Sequence, residues 1–204
     1  MSNHYMPNIY ELVKEFCVTI LHTFLYHKQV YFQENSILVI LDPITAYRNL
    51  YNKKDINNLC KLIINAKKKE IPIVLTRWIR TKPETASDAI EKKGHWSFFV
   101  PNKYQTQIID EIINETSDYQ NVYTVNVKNT NAFMSEKFKS QTEDKKHIII
   151  AGCWTESCVL NTARSALDFN KQVSVVKNCC VGHFIKHHIS LFTIQLLYGD
   201  ILTI

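Results

Sequence analysis

The stretch HIIIAGCWTESCVLNTA, residues 147–163, decides how the rest of the chain is read. Ile148 to Ala151 is a short apolar run with the length and composition of a buried strand. Gly152 ends it, and Thr155 and Ser157 then offer hydroxyls of the kind that cap helices. From Cys158 onward apolar residues recur at helical spacing, at Val159, Ala163, Ala166 and Leu167. The pattern predicts strand, tight turn and helix, with Cys158 in the first helical turn. A helix N-terminus carries unpaired N–H groups and a partial positive charge. In that setting a thiol's pKa falls, and backbone donors can hold an oxyanion. Cys158 is thus either a nucleophile or a small core residue at a tight turn, since free cysteine is among the most buried residue types.

Working outward, Ser36 to Leu41 (SILVIL) is another continuous apolar run, of the kind buried on both faces in parallel sheets. It ends at Asp42-Pro43, so Asp42 stands at the carboxyl end of a central strand, where open α/β sheets carry their sites. Asp42 could equally cap the following loop or helix. Lys54 to Lys69 reads as a helix with Ile56, Leu59, Cys60, Ile63 and Ala66 on one face, stopped at Glu70-Ile71-Pro72. Ile73 to Thr76 reads as a strand followed by Arg77, Trp78 and Arg80. A polar loop over 80–103 carries His95, Trp96, Phe98 and Phe99, and loops of that length are often functional.

A helix is expected over Gln105–Asn114, a strand over Val122–Val127 with Lys128 at its end, and a strand over Val173–Val176 before Asn178-Cys179-Cys180. A helix over Phe184–Leu197 and a last strand over Asp200–Ile204 complete the chain. Strands alternate with helices, which predicts an α/β, three-layer Rossmann-like sandwich with a mainly parallel sheet and helices on both faces. We expect an N-terminal helical extension over 1–35, with its helix from Ile9 to about Gln29, packed on a single domain over 36–204.

Composition narrows the function classes. The 204 residues carry a net charge of +5, but the lysines are scattered, and Lys53, Lys54 and Lys67 to Lys69 belong to a solvated helix face. No patch is dense enough for a nucleic-acid groove. Phe16 to Tyr26 is too short an apolar stretch to span a membrane, and no basic n-region or small-residue cleavage site accompanies it. The six cysteines have no CxxC spacing, so reduced thiols in a cytoplasmic protein are expected rather than a zinc ribbon or a disulfide framework. Neither GxGxxG nor GxSxG occurs, which leaves dinucleotide binding and the α/β-hydrolase elbow unsupported.

Asp42, Lys128 and Cys158 then stand at the carboxyl ends of three predicted parallel strands: an acid–base group, a cation and a nucleophile expected to converge at one sheet edge. Here the sequence resembles the isochorismatase-like cysteine hydrolases, which include nicotinamidases and N-carbamoyl amidohydrolases. The resemblance runs from about Ser36 to the C-terminus. It is carried by AGCWTESCVLNTARSALDFNKQVSVVKNCC, by VKNTNAF with its lysine before a small residue and an aromatic, by ILVILD, and by HHISL.

That resemblance implies an Asp42–Lys128–Cys158 triad acting on a small amide or related C–N bond through a thioester. It implies an oxyanion hole made of the Trp154 and Cys158 backbone N–H groups, and a cis peptide before Trp154. Arg77, Trp78 and Phe133 are the candidate substrate contacts. The partner expected is a small-molecule substrate, with no cofactor, no nucleic acid and no membrane, and the chain is expected to form a homo-oligomer.

The family's Asp-x-Gln and Asn-Asp-Phe loop is replaced here by Asp42-Pro43-Ile44 and Ala46-Tyr47. Where nicotinamidases carry an Asp/His metal cluster this chain has Arg77-Trp78-Ile79-Arg80, so no metal is expected. Two alternatives stay open: a catalytically silent binding or assembly protein on the same fold, and an isochorismatase-type vinyl-ether hydrolase.

Overall fold

The computed structural model describes residues 28–80 and 101–204, together with residues 8, 10, 11, 14 and 17. Seven parallel strands form one sheet: β1 (Lys28–Gln29), β2 (Ser36–Leu41), β3 (Ile73–Trp78), β4 (Val122–Val127), β5 (His147–Cys153), β6 (Gln172–Val181) and β7 (Asp200–Thr203), in the order β1-β7-β6-β5-β2-β3-β4. The central strands β2 and β5 are buried at every residue, which is why both read as continuous apolar runs. They pair in register from Ser36 with His147 to Leu41 with Gly152.

The chain runs from β2 outward to β3 and β4, then returns to β5 on the other side of β2 and continues to β6 and β7. Right-handed crossovers therefore put α1 (Lys53–Lys68) and α2 (Asp110–Thr116) on one face of the sheet. They put α4 (Leu160–Asp168) and α5 (Phe184–Leu197) on the other. The strand order reverses between β2 and β5, and the crevice at their carboxyl ends is the topological switch point of the fold.

Several boundaries move for physical reasons. The helix expected from Gln105 begins at Asp110, because Ile108 first pairs with Ile44 in an antiparallel bridge and the Ile109 N–H donates to Pro43 O. Strand β6 runs on through Asn178, Cys179 and Cys180, which pair beyond a bulge with β5: Gly152 with Cys180 and Cys153 with Val181. Helix α3 (Glu136–Thr142, EKFKSQT) has no apolar stripe to announce it, since only Phe138 and Thr142 are buried. Helix α1 is closed by a capping box between Asn52 and Asp55, and buries Ile56, Leu59, Leu62, Ile63 and Ala66.

Most of the helix expected over Ile9–Gln29 lies outside the described residues, and its last two positions form β1, paired with β7. The aromatic insert His95 to Phe99 also lies outside them. Among the described residues no helix is long and apolar enough to cross a membrane.

Candidate active site

Asp42 leaves β2 in a left-handed conformation (φ 48°), which aspartate and asparagine adopt more readily than most residues. Thr76, one strand away on β3, grips it twice. The threonine hydroxyl donates to Asp42 Oδ1 at 2.6 Å and accepts the Asp42 N–H at 3.0 Å. On the β5 side, Gly152 (φ 113°) passes so close to Leu41 that a Cβ there would lie 2.1 Å from the Leu41 carbonyl oxygen. Only glycine fits, and the close approach brings the next residue, Cys153, within 3.4 Å of Asp42, donating its thiol proton to the Asp42 carbonyl.

The chain then crosses a cis Cys153–Trp154 peptide and enters a π-helical turn, Thr155–Val159, before α4. The sequence predicts an ordinary first helical turn here with Thr155 and Ser157 as caps. Neither hydroxyl caps it; the Ser157 and Val159 N–H groups both donate to Trp154 O instead. Thr155 points into the sheet edge, donating to Val181 O at 3.0 Å and meeting His187 Nδ1 at 2.8 Å. The wider turn presents Cys158, 7 % exposed, to the Asp42 carboxyl, close enough for each group to perturb the other's ionisation.

The electrostatics of this pair differ from the expectation of a thiol activated at a helix start. Burial pushes the Asp42 carboxyl up to about 6, against the opposing hydrogen bonds from Thr76, Cys158 and the Trp78 backbone. Burial also pushes the Cys158 thiol well above its ordinary value. The neighbouring Asp42 charge adds to that, and a backbone hydrogen bond with Trp154 works the other way. The resting state at neutral pH is therefore a neutral thiol beside a carboxylate.

Strand β4 buries Val125 and Val127 and ends there. Lys128 follows in the bend after the strand, and no contact of it with Asp42 or Cys158 appears among the described residues. Its side chain is exposed and makes no hydrogen bond or ion pair among the described residues. The segment that follows is held along helix α4. Asn161 donates to Thr130 at 2.9 Å, Asn131 to Ser165 at 2.8 Å, and the Ala132 N–H to Thr162 at 3.1 Å. Phe133 ends this run stacked on Phe169 with centroids 4.8 Å apart and edge-on to Phe138. Phe169 is the C-cap residue of α4, and the buried Phe133 ring packs against it in the core.

The other two candidate contacts divide. Trp78 is buried at the end of β3, its backbone reaching Asp42 and its ring carrying the buried Arg80 guanidinium at 4.7 Å. Arg77 lies on the opposite face of the strand from Thr76 and donates to Asn126 Oδ1 at 3.0 Å.

Trp154 forms the wall beside the thiol. Its ring meets Tyr47 edge-on (5.8 Å) and stacks on His183 (4.7 Å, 24°). Glu156 holds His183 in that stack, its Oε1 accepting the His183 N–H at 3.1 Å and meeting Nδ1 at 2.6 Å. Thr76, Tyr47, Glu156 and His183 escape a reading of the sequence, because each reaches the site from a different element. Thr76 had one signal: it lies one strand from Asp42 and two residues before Trp78. Among the described residues, no group of three or more His, Cys, Asp or Glu side chains gathers as a metal site.

The isochorismatase domain model matches residues 36–204, and the chain belongs to that family. Three solved structures share the fold at low identity. A cysteine hydrolase from Pseudomonas syringae pv. phaseolicola 1448A matches at 14% identity, 88% of this chain, 94% of that one and a TM-score of 0.70. For N-carbamoylsarcosine amidase from Thermoplasma acidophilum the figures are 16%, 82%, 95% and 0.66. For an octameric hydrolase of unknown specificity from Escherichia coli they are 22%, 87%, 80% and 0.65. No curated protein matches the chain at a significant level.

Proposed function

We propose that the chain is a metal-independent cysteine hydrolase that cleaves a small amide or related C–N bond through a thioester. The observation that carries this reading is the juxtaposition of the Cys158 thiol and the buried Asp42 carboxyl. Asp42, with its carboxyl at about 6, is ionised at neutral pH and is placed to act as general base. As Sγ attacks the carbonyl carbon, the thiol proton passes to Asp42 and the carbonyl oxygen becomes an oxyanion, held by the Trp154 and Cys158 backbone N–H groups. Collapse of the tetrahedral intermediate breaks the C–N bond, and the leaving amine takes the proton from Asp42. A water, deprotonated by Asp42, then attacks the thioester and releases the acid and the thiol.

Because the thiol sits above its ordinary pKa, proton transfer accompanies attack and no stored thiolate is needed. Metal independence is supported by the residues after β3. Arg80 fills that stretch with a buried guanidinium stacked on Trp78 in place of a carboxylate or imidazole ligand.

The test is a panel of small amides and carbamoyl compounds assayed with the native chain and Cys158→Ala, with mass spectrometry to trap an acyl group on Cys158. No turnover and no acyl adduct on any amide would shift the reading to a silent binding protein on the same fold. Two further results are expected. Turnover should rise about tenfold per pH unit below an apparent pKa of about 6 and level off above it, as Asp42 loses its proton; a profile flat from pH 5 to 8 would remove Asp42 as the base. Lys128→Met should change kcat by less than about threefold, since the lysine is exposed and unpaired among the described residues. A loss of 100-fold or more would restore it to the site.

A further inference from the structure

The Trp154 ring is held from two sides. Tyr47, buried on the 3-10 turn Thr45–Leu50 that follows Asp42, meets it edge-on, and His183, just before α5, covers its face. The ring therefore stretches from the loop after β2 to the start of α5, across the sheet edge that carries Cys158. Its backbone is fixed as well, since Trp154 O accepts two N–H groups of the turn that holds the thiol. His183 is 56% exposed and needs an anchor to keep its place. Glu156 supplies it through one oxygen, Oε1, which takes both the His183 backbone N–H and the ring. That anchor lowers stability. The Glu156 side chain is 14% exposed, and its other oxygen, Oε2, is buried with no hydrogen-bond partner among the described residues. Residue 182 must also lack a side chain, because a Cβ there would run into Oε2. A local penalty retained two residues from Cys158 marks a side chain placed for the site and not for the fold.

We propose that Glu156 and His183 set the specificity of the site: together they lock the Trp154 ring as a rigid wall beside Cys158, which admits small acyl groups and turns away bulky ones. This rests on the reading of Cys158 as the atom that meets the substrate. Both are positioning residues, since they act through Trp154. With His183 in place, a change of the Trp154 rotamer has to break the face contact and the edge contact together. Without it one face of the indole is bare, and the ring can swing away from the thiol. The bond to Glu156 acts through geometry. Two contacts from one residue to one oxygen leave the imidazole a single orientation, flat against the indole.

The test compares the rates at which Cys158 is alkylated by iodoacetamide and by the bulkier N-phenyliodoacetamide, read cysteine by cysteine by peptide mass mapping. The exposed Cys17 gives the intrinsic ratio of the two reagents in the same sample. In the native chain the preference for iodoacetamide at Cys158 should exceed that at Cys17 by at least about tenfold. His183→Ala should cut this excess to within about twofold and leave the circular dichroism spectrum unchanged. Glu156→Ala should do the same and covers the case in which His183→Ala does not fold. Glu156→Gln keeps an oxygen for His183 and should restore the preference. With amides, His183→Ala should raise kcat/KM for benzamide relative to acetamide by at least about tenfold. A merely structural role would lower the melting temperature and move neither ratio. A preference unmoved by both alanine variants overturns the proposal, and so does Glu156→Gln behaving like Glu156→Ala. A native Cys158 that shows no preference, or reacts with neither reagent, overturns it as well. Because labelling does not require turnover, a native chain that shows the preference but cleaves no amide would sink the hydrolase reading and leave the wall standing.

Discussion

Replacing Cys158 by alanine or serine is expected to lower turnover by at least about 10³-fold while both variants fold. Alanine removes the only atom that can attack. Serine keeps the shape but offers a hydroxyl of much higher pKa, and a carboxylate at about 6 cannot take its proton at a comparable rate. The stability change should stay within about 1 kcal/mol, because one sulfur is trimmed at a π-helical turn and not from the centre of the sheet. A cysteine that merely fills space predicts the reverse: retained turnover and a lower melting temperature from the cavity or the buried hydroxyl. Measuring both quantities on the same two proteins separates the cases. Activity retained by Cys158→Ala would exclude the thioester route and favour vinyl-ether hydrolysis, which needs no thiol.

The strands that carry the site were readable because they are buried on both faces, so Ile37 to Leu41 and Ile148 to Ala151 stand out without a structure. Strand ends then fixed which residues lie at the carboxyl edge. The thiol's immediate setting was not readable. A π-helical turn differs from an α-helical one by a single residue per turn, and nothing in TESCV distinguishes them. The depressed thiol pKa expected of a helix start failed for the same reason it usually does in a core: burial outweighs the partial charge of the turn.

Lys128 is more instructive. Val125 and Val127 specify the parity of the edge strand, but the strand ends at Val127, and Lys128 stands exposed in the bend beyond it. The motif resemblance sets it beside Asp42 and Cys158, and the Lys128→Met assay tests that expectation. Phe133 shows the complementary limit. Its neighbours Phe138 and Phe169 are five and thirty-six positions further along the chain, and only the docking of 130–133 along α4 brings the three rings together.

Asp42→Asn should separate the chemistry of the carboxylate from its cost to the fold. Folded, the carboxyl titrates at about 6; unfolded, near the ordinary 3.8. The folded state thus holds the proton more tightly, and ionisation favours unfolding. The stabilising contribution of the protonated form is complete below pH 3.8 and is lost as pH rises through about 6, so at neutral pH the buried charge costs about 3 kcal/mol, at 1.36 kcal/mol per pKa unit. Asparagine carries no charge to bury, tolerates the φ of 48° at this position, and can still accept the Thr76 hydroxyl on Oδ1. Asp42→Asn is therefore expected to unfold at a higher denaturant concentration than the native chain at pH 8, by 1–3 kcal/mol, with the advantage gone by about pH 4. Its turnover should fall at least about 10³-fold at every pH, because no group is left to take the thiol proton. Two curves decide the matter. Equal stability of the two proteins from pH 4 to 8 would mean that residue 42 carries no buried charge. Turnover within tenfold of the native chain would mean that the thiol is deprotonated by something else.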